Sequence, residues 1–341
     1  LKIACSGMTA GIYFSSKSKK QGFSIVMISM AYALSSYMVG YCWNVMWLDA
    51  IMIFPIIMMG LERLIEKKDG RLYCIALFYA LYCNYYIAFM ICIFAVIWYL
   101  LYSFKSIKQF FFRGIAFAFY SFLAAGMAAI LLIPAYMGIK QTASGETMQL
   151  PEHSFLTSVA DLLNRQFALW SPISHDNFDG NANLYIGIFS VLAVGLYVLN
   201  GEIKVSEKIK KVLLIGLFYL SFSEMILNFI WHGFHDQYGI PNRFSFLFGF
   251  VLLYMLWEVF EHLEGVKGWH AAFACMAGVA LMAYAKLKGT QVLEDNVYGV
   301  AGMLLLLYGV LLFFYTLSRK RKYIYKFIFC VVAVIEITVT A

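Results

Sequence analysis

Charge is what this sequence has least of. Only 13% of its 341 residues are Asp, Glu, Lys or Arg, against about 25% in soluble domains, which excludes water as the main solvent of the folded chain. The charges do not form a basic stripe either. The excess of 26 Lys+Arg over 19 Asp+Glu is spread in short clusters between apolar runs, so no nucleic-acid partner is expected. There is no Cys-x-x-Cys. The seven cysteines (Cys5, Cys42, Cys74, Cys83, Cys92, Cys275, Cys330) are scattered, most of them inside apolar runs, and read as small apolar fillers with no disulfide framework or metal site implied. A Walker loop, a Gly-x-Gly-x-x-Gly after a strand, a His-Glu-x-x-His and a Gly-x-Ser-x-Gly are all missing, which argues against nucleotide chemistry. No internal repeat or low-complexity linker divides the chain, so residues 1–341 are expected to form a single transmembrane domain.

What is present is apolar. The chain is 62% hydrophobic with a mean hydropathy of +0.76. A backbone in lipid must satisfy its own polar groups, which leaves helices or a closed barrel, and long continuous runs select helices. At about 20 residues per crossing, apolar runs fall at 1–16, 22–41, 50–65, 72–84, 85–103, 111–136, 182–200, 211–231, 243–262, 269–286, 297–317 and 324–341. The expected fold is all-α and polytopic, with about 12 membrane segments. The pair 72–84 and 85–103 is one long run broken near Asn84, and 72–84 is short enough to be re-entrant.

Alternating the sides puts 20 Lys/Arg in 17–20, 62–71, 105–113, 202–211, 262–268 and 318–326, and six (Lys2, Lys140, Arg165, Arg243, Lys286, Lys288) opposite. The positive-inside rule makes the first side cytoplasmic. A single span over 72–103 would invert 105–113, which supports the break at Asn84. The outer loops are then 41–49, the Asn84 corner, 137–181, 231–243 and 287–296. The longest carries Glu146, Glu152, His153, Asp161, Arg165, His175, Asp176 and Asp179. Its segment 154–170 has apolar residues at helical spacing and is expected to lie in the membrane interface, anchored by Trp170.

Three polar clusters on that side could carry chemistry. The first is 231–243 (WHGFHDQYGIPNR) with the helix before it. Ser221, Glu224, Asn228 and His232 follow at i, i+3, i+7 and i+11 and so share one helical face. A carboxylate below the membrane surface, such as Glu224, is either a functional group or half of a buried pair. Arg243, after Asn242, has the planar fork that suits a phosphate, though a snorkelling interface arginine would look the same. His232 and His235 are proton-transfer candidates. With Asp236 they lack a fixed third ligand, so no metal is assigned and a divalent ion is left open. The second cluster is 41–49 (YCWNVMWLD): Trp43, Asn44 and Trp47 would line a sugar- or headgroup-binding lip, and Asp49 is either a catalytic carboxylate or a helix cap. The third is Asn84, Tyr85 and Tyr86, where a polar residue at a helix break either satisfies freed backbone or lines a pocket.

Segments 38–65 (MVGYCWNVMWLDAIMIFPIIMMGLERLI), 83–94 (CNYYIAFMICIF), 183–192 (NLYIGIFSVL) and 231–248 (WHGF…PNRFSFLF) resemble, in order, the bacterial YfhO-type membrane proteins, multi-pass glycosyltransferases of the GT-C type. The resemblance runs over roughly 1–260. It implies sugar transfer outside the bacterial cell membrane, from an undecaprenyl-phosphate-linked donor to a teichoic-acid-like acceptor such as lipoteichoic acid. It also implies an acidic residue in the first outer loop as catalytic base or metal-binding group. The sequence starts without Met, has no signal peptide and stops inside an apolar run, so a longer parent chain is expected, with that loop ahead of Leu1. The competing readings are a transporter or flippase of a lipid-linked sugar, which needs polar residues at mid-depth in several helices, and a non-catalytic scaffold.

Overall fold

The computed structural model describes residues 1–19, 22–141, 150–173, 181–234, 239–240, 242–318 and 320–341. Among these residues the fold is helical. In chain order the helices are α1 (Lys2–Lys17), α2 (Phe23–Ala33), α3 (Ser36–Gly40), α4 (Val45–Lys67), α5 (Arg71–Cys83), α6 (Tyr85–Leu101), α7 (Ile107–Met127) and α8 (Ala129–Ile139). After these come α9 (Val159–Gln166), α10 (Phe189–Leu199), α11 (Val205–Ser223), α12 (Met225–Trp231), α13 (Ser245–Glu261), α14 (Gly268–Lys288), α15 (Asp295–Leu317) and α16 (Lys322–Thr340).

Each of the twelve apolar runs is occupied by helix. Six helical segments (23–40, α4, α7, α14, α15 and α16) are long and apolar enough to cross a bilayer on their own. Helix α5, with 13 residues, reaches about 20 Å at 1.5 Å per residue, short of a ~30 Å hydrocarbon core.

Helix α13 is the axis of the core. Fourteen of its 17 residues are buried, as expected of a helix that is hydrophobic all round. Aromatic rings converge on it: Phe250 lies 4.8 Å from Phe54 of α4, 5.3 Å from Tyr13 of α1 and 6.2 Å from Trp98 of α6, centroid to centroid. At the periphery, α7 buries only Ala124 and α8 nothing, yet both are apolar. That face suits lipid. Helices α4 and α5 touch backbone to backbone because Gly60 has no side chain, and a Cβ there would sit 2.4 Å from the Tyr73 nitrogen. Small residues at helix interfaces in membranes serve this close approach.

Several runs that read as single spans are broken, and each break is satisfied locally. Asn84 is extended, and its side chain accepts the Ile87 N–H at 2.9 Å, starting α6. The run 211–231 breaks at Glu224, which is also extended and accepts from the Ile226 and Leu227 N–H groups at 3.0 and 2.8 Å. Ser221, Glu224, Asn228 and His232 therefore do not share one continuous helical face. The run 182–200 becomes helical only at Phe189, and residues 181–188 form non-helical chain buried in protein. Gly187, at φ +103°, makes the last turn, where a Cβ would strike the Phe189 ring. Irregular backbone at this depth needs internal partners, and Glu336 of α16 supplies them. It accepts from the Tyr185 hydroxyl at 2.8 Å, the Ile188 N–H at 2.5 Å and the Tyr308 hydroxyl at 2.5 Å.

Segments assigned to the basic side meet one another: Lys17 with Glu62 at 2.8 Å, the Lys19 N–H with Glu261 at 3.1 Å, and His262 with Glu202 at 3.5 Å. Segments assigned opposite also meet, as Lys2 with Asp49 at 2.6 Å and Tyr37 with Arg243. Helix α9, expected to lie flat in the interface, is instead walled in by protein. Ala160, Asp161, Leu162, Leu163 and Asn164 are buried, and Asn164 donates to the Ala285 carbonyl at 3.1 Å. Trp170 is 44% exposed and so remains free to meet a headgroup. Asp161 accepts from the Thr290 and Gln291 N–H groups at 2.7 and 2.9 Å and from Ser158 at 2.6 Å. Burial raises its pKa, but these donors outweigh burial and hold it below the ordinary carboxylate value.

Two outcomes follow. Glu336→Ala strands the buried Ile188 N–H and Tyr308 hydroxyl at a cost of about 1–3 kcal/mol each and leaves Tyr185 only its 3.3 Å contact with Thr340, so its thermal unfolding in detergent should fall well below that of the parent and of Glu336→Gln; equal melting would remove the network. Because the folded Asp161 pKa is depressed, its contribution is complete above the unfolded value of about 3.9 and lost as pH falls through the folded one. Spin labels replacing His153 and Val292 should separate only below about pH 4, and at every pH in Asp161→Asn.

Candidate functional site

The first and third polar clusters of the sequence meet the second at Arg243. Residue 243 lies in the turn before α13, and the chain direction there is set by Asn242 at φ +56°. That left-handed conformation is disfavoured for residues with a Cβ, Asn tolerating it best. Asn242 is fully buried, and its side-chain oxygen accepts from Asn228 Nδ2 at 2.5 Å. Asn228 also donates to the Ser221 carbonyl at 3.1 Å. The side chain of Asn228 thus ties the end of α11 to the turn across the break at Glu224.

Arg243 itself is half-buried. Its Nε donates to the Ile240 carbonyl at 3.0 Å, and its own carbonyl accepts from the Tyr37 hydroxyl at 2.7 Å. The guanidinium carbon stands 5.1 Å from the Tyr86 ring and 5.5 Å from the Trp47 ring, within cation–π range. Tyr41 packs edge-on to Trp47 at 5.7 Å and to Tyr37 at 4.9 Å, completing an aromatic frame. Burial raises the Tyr41 hydroxyl pKa, and the Arg243 and Arg165 guanidiniums pull it back.

His232 is fully buried. Its Nδ1 lies 2.7 Å from the Asn228 carbonyl, which, being an acceptor only, places a proton on Nδ1. Its ring lies 5.8 Å from Phe244 and 6.3 Å from Tyr86, and Trp231 stacks on Phe244 at 4.7 Å. His232 is placed to hold the turn against Tyr86.

The other sequence candidates are placed as follows. Trp43 and Tyr85 are exposed beside this frame in sequence, and Asn44 precedes α4 without a side-chain capping bond. Asn84 caps α6. Asp49 pairs with Lys2, whose ammonium also donates to the Val45 carbonyl at 3.2 Å. Two residues on from Trp47, it points to a different helical face. Glu224 caps α12 and lies 4.0 Å from His153. His235 lies outside the described residues, as do Glu146, His175, Asp176 and Asp179 of the long loop. Among the described residues, no three His, Cys, Asp or Glu side chains come together as metal ligands. Tyr37 was missed by reading the sequence; its spacing of four from Tyr41, on one helical face, is the signal that could have found it.

Replacing Asn242 separates backbone from side chain. Asn242→Gly keeps the left-handed turn and loses only the acceptor, whereas Asn242→Ala loses both and adds about 1 kcal/mol of strain. Thermal unfolding in detergent should rank the parent above Gly and Gly above Ala, and an Ala variant as stable as Gly would contradict this account.

The model of a family described as bacterial membrane protein YfhO matches residues 1–341, the whole chain. No curated protein and no solved structure matches it. The chain therefore belongs to the YfhO family of bacterial membrane proteins.

Proposed function

We propose that this YfhO-family membrane protein is a glycosyltransferase of the GT-C type. It moves a sugar from an undecaprenyl-phosphate-linked donor to an acceptor such as lipoteichoic acid on the extracytoplasmic side. The observation that carries the reading is the position of Arg243, whose guanidinium lies against Trp47 and Tyr86, from two other polar clusters of the chain. The segments opposite this end hold 20 of the 26 Lys and Arg, so the positive-inside rule puts Arg243 outside.

In the reaction, an acceptor hydroxyl oxygen attacks the anomeric carbon and the bond from that carbon to the phosphate oxygen breaks. The leaving lipid phosphate gains negative charge, and Arg243 stabilises it in a site partly shielded from water. Trp47 and Tyr86 hold the guanidinium in place, with Trp43, Asn44, Asn84 and Tyr85 as the wider lip for sugar or prenyl chain. Asn228, Asn242 and His232 fix the turn that presents Arg243. The hydroxyl proton goes to a carboxylate. The family resemblance implies one in the first outer loop, and Asp49, paired with Lys2, is a candidate within this chain.

Transport of a lipid-linked sugar is the competing reading, favoured by buried charges at the other end, among them Glu62 and Lys211. Phe54, Phe94 and Phe250, packed ring to ring, stand between the two ends and count against an open path.

Removing a preorganised donor costs about 10²–10³ in rate. In liposomes holding the full-length protein, labelled undecaprenyl-phosphate sugar and acceptor, Arg243→Ala should lose transfer by that factor while inserting normally. Arg243→Lys, which keeps charge without the fork, should fall between. Full transfer in Arg243→Ala sinks the clamp, and label that crosses the bilayer without reaching the acceptor favours transport.

A further inference from the structure

Helices α14 and α15 are both long and apolar enough to cross a bilayer, and a groove of about 760 Å³ runs between them. Close approach at Gly309 gives it a floor. A Cβ there would stand 3.1 Å from the Cys275 Cβ, so the two backbones nearly touch at that level and longer side chains stand up on either side. Those rims face out of the bundle: Met276 is 63% exposed and Val310 49%. The lining is apolar from Ala283 and Leu306 at mid-depth to Phe313 and Phe314 at one end.

That end carries cations. Phe313 lies against Gly268, where a Cβ would come within 3.3 Å of its ring, so the groove ends at the residue between Lys267 and Trp269, both of them exposed. Phe314 stacks on Tyr325 of α16 at 6.0 Å. Lys322, one turn before Tyr325, has its ammonium 5.3 Å from the Tyr315 ring, and Lys320 and Arg321 beside it are exposed. Segment 318–326 holds five Lys and Arg and no Asp or Glu, which outweighs Glu264 in the facing loop. The positive-inside rule puts this end in the cytoplasmic leaflet, where anionic lipids gather. The groove between α1 and α2, about 710 Å³, differs at this end. Beyond its last residue, Ser15, the Lys17 ammonium is already paired with Glu62 at 2.8 Å.

We propose that the α14–α15 groove binds one anionic phospholipid of the cytoplasmic leaflet. An acyl chain lies along Cys275, Val279 and Gly309, and the headgroup phosphate meets the ammonium groups of Lys267 and Lys322, with Trp269 at headgroup level. Hydrocarbon gains little by leaving other hydrocarbon. The groove therefore fixes where the chain lies, and the basic rim decides which lipid is held. A helix from a second copy of this chain could fill the same groove, but it would make no use of cations at the groove's end. The site lies at the opposite end of the bundle from Arg243 and does not depend on the transfer reading.

Native mass spectrometry of the full chain released from detergent tests it, with phosphatidylglycerol, phosphatidylethanolamine and phosphatidylcholine of matched acyl chains as probes. One phosphatidylglycerol should be retained roughly tenfold more tightly than either of the others. Lys267→Gln and Lys322→Gln should each weaken it about fivefold, equivalent to ~1 kcal/mol. Ala280→Phe fills the groove from its exposed face without changing charge and should weaken it at least as much. The double variant Lys105→Gln and Lys108→Gln, at the same end of the bundle beside α7, should leave it unchanged. Should Lys267→Gln disturb the start of α14, where the Lys267 N–H donates to His270 at 3.1 Å, Lys322→Gln reads the same rim. Equal retention of the three lipids, equal loss in the Lys105 and Lys108 variant, or indifference to Ala280→Phe overturns the proposal. Dimers that Ala280→Phe dissociates overturn it in favour of an interface between copies.

Discussion

A membrane offers the chain no hydrogen-bond partners, and that constraint explains the placement of its buried polar side chains. Each interruption of helix is closed by a group within a few ångströms: Asn84 at the start of α6, Glu224 at the start of α12, Glu336 against the buried stretch 181–188. An unmet N–H in hydrocarbon costs several kcal/mol, more than a helix cap returns in water. A polar residue inside an apolar run is therefore first a candidate for satisfying backbone. Glu224 illustrates this. Its position below the surface suggested chemistry, yet both carboxylate oxygens accept from the backbone of the helix they begin.

The same reasoning separates what was legible in the sequence from what was not. Hydropathy located helix in every apolar run, because that signal depends on about 20 local residues. The break at Asn84 was legible because charge placement on either side demanded it. The breaks at Glu224 and before Phe189 were not, since each depends on a partner remote in sequence: Ser154 and Leu156 pair with the chain around Glu224, and Glu336 lies 148 residues from Ile188. Helix α9 has the amphipathic pattern of an interfacial helix, but composition cannot distinguish lipid from the 285–291 segment as the surface that covers it.

At the candidate site, the residue types were legible and their orientation was not. Trp47 and Asp49 are two apart on one helix, so one faces Arg243 and the other Lys2. Neither direction can be fixed until α1 and α13 are placed on either side of α4. Tyr86 rather than Asn84 reaches Arg243 because Asn84 spends its side chain on the cap.

The choice of arginine and aromatic rings is itself informative. Against the faces of Trp47 and Tyr86 the Arg243 guanidinium is held by the ring quadrupole, which restrains the group. A cation oriented in this way at a membrane boundary interacts favourably with an anion that arrives along the lipid surface. The turn before α13 can supply that orientation because it is tied on both sides, by Tyr37 to the Arg243 carbonyl and by Asn228 to Asn242. Loosening either tie should weaken the proposed anion recognition without altering the charge of the site, since the rings hold the cation only where the backbone delivers it.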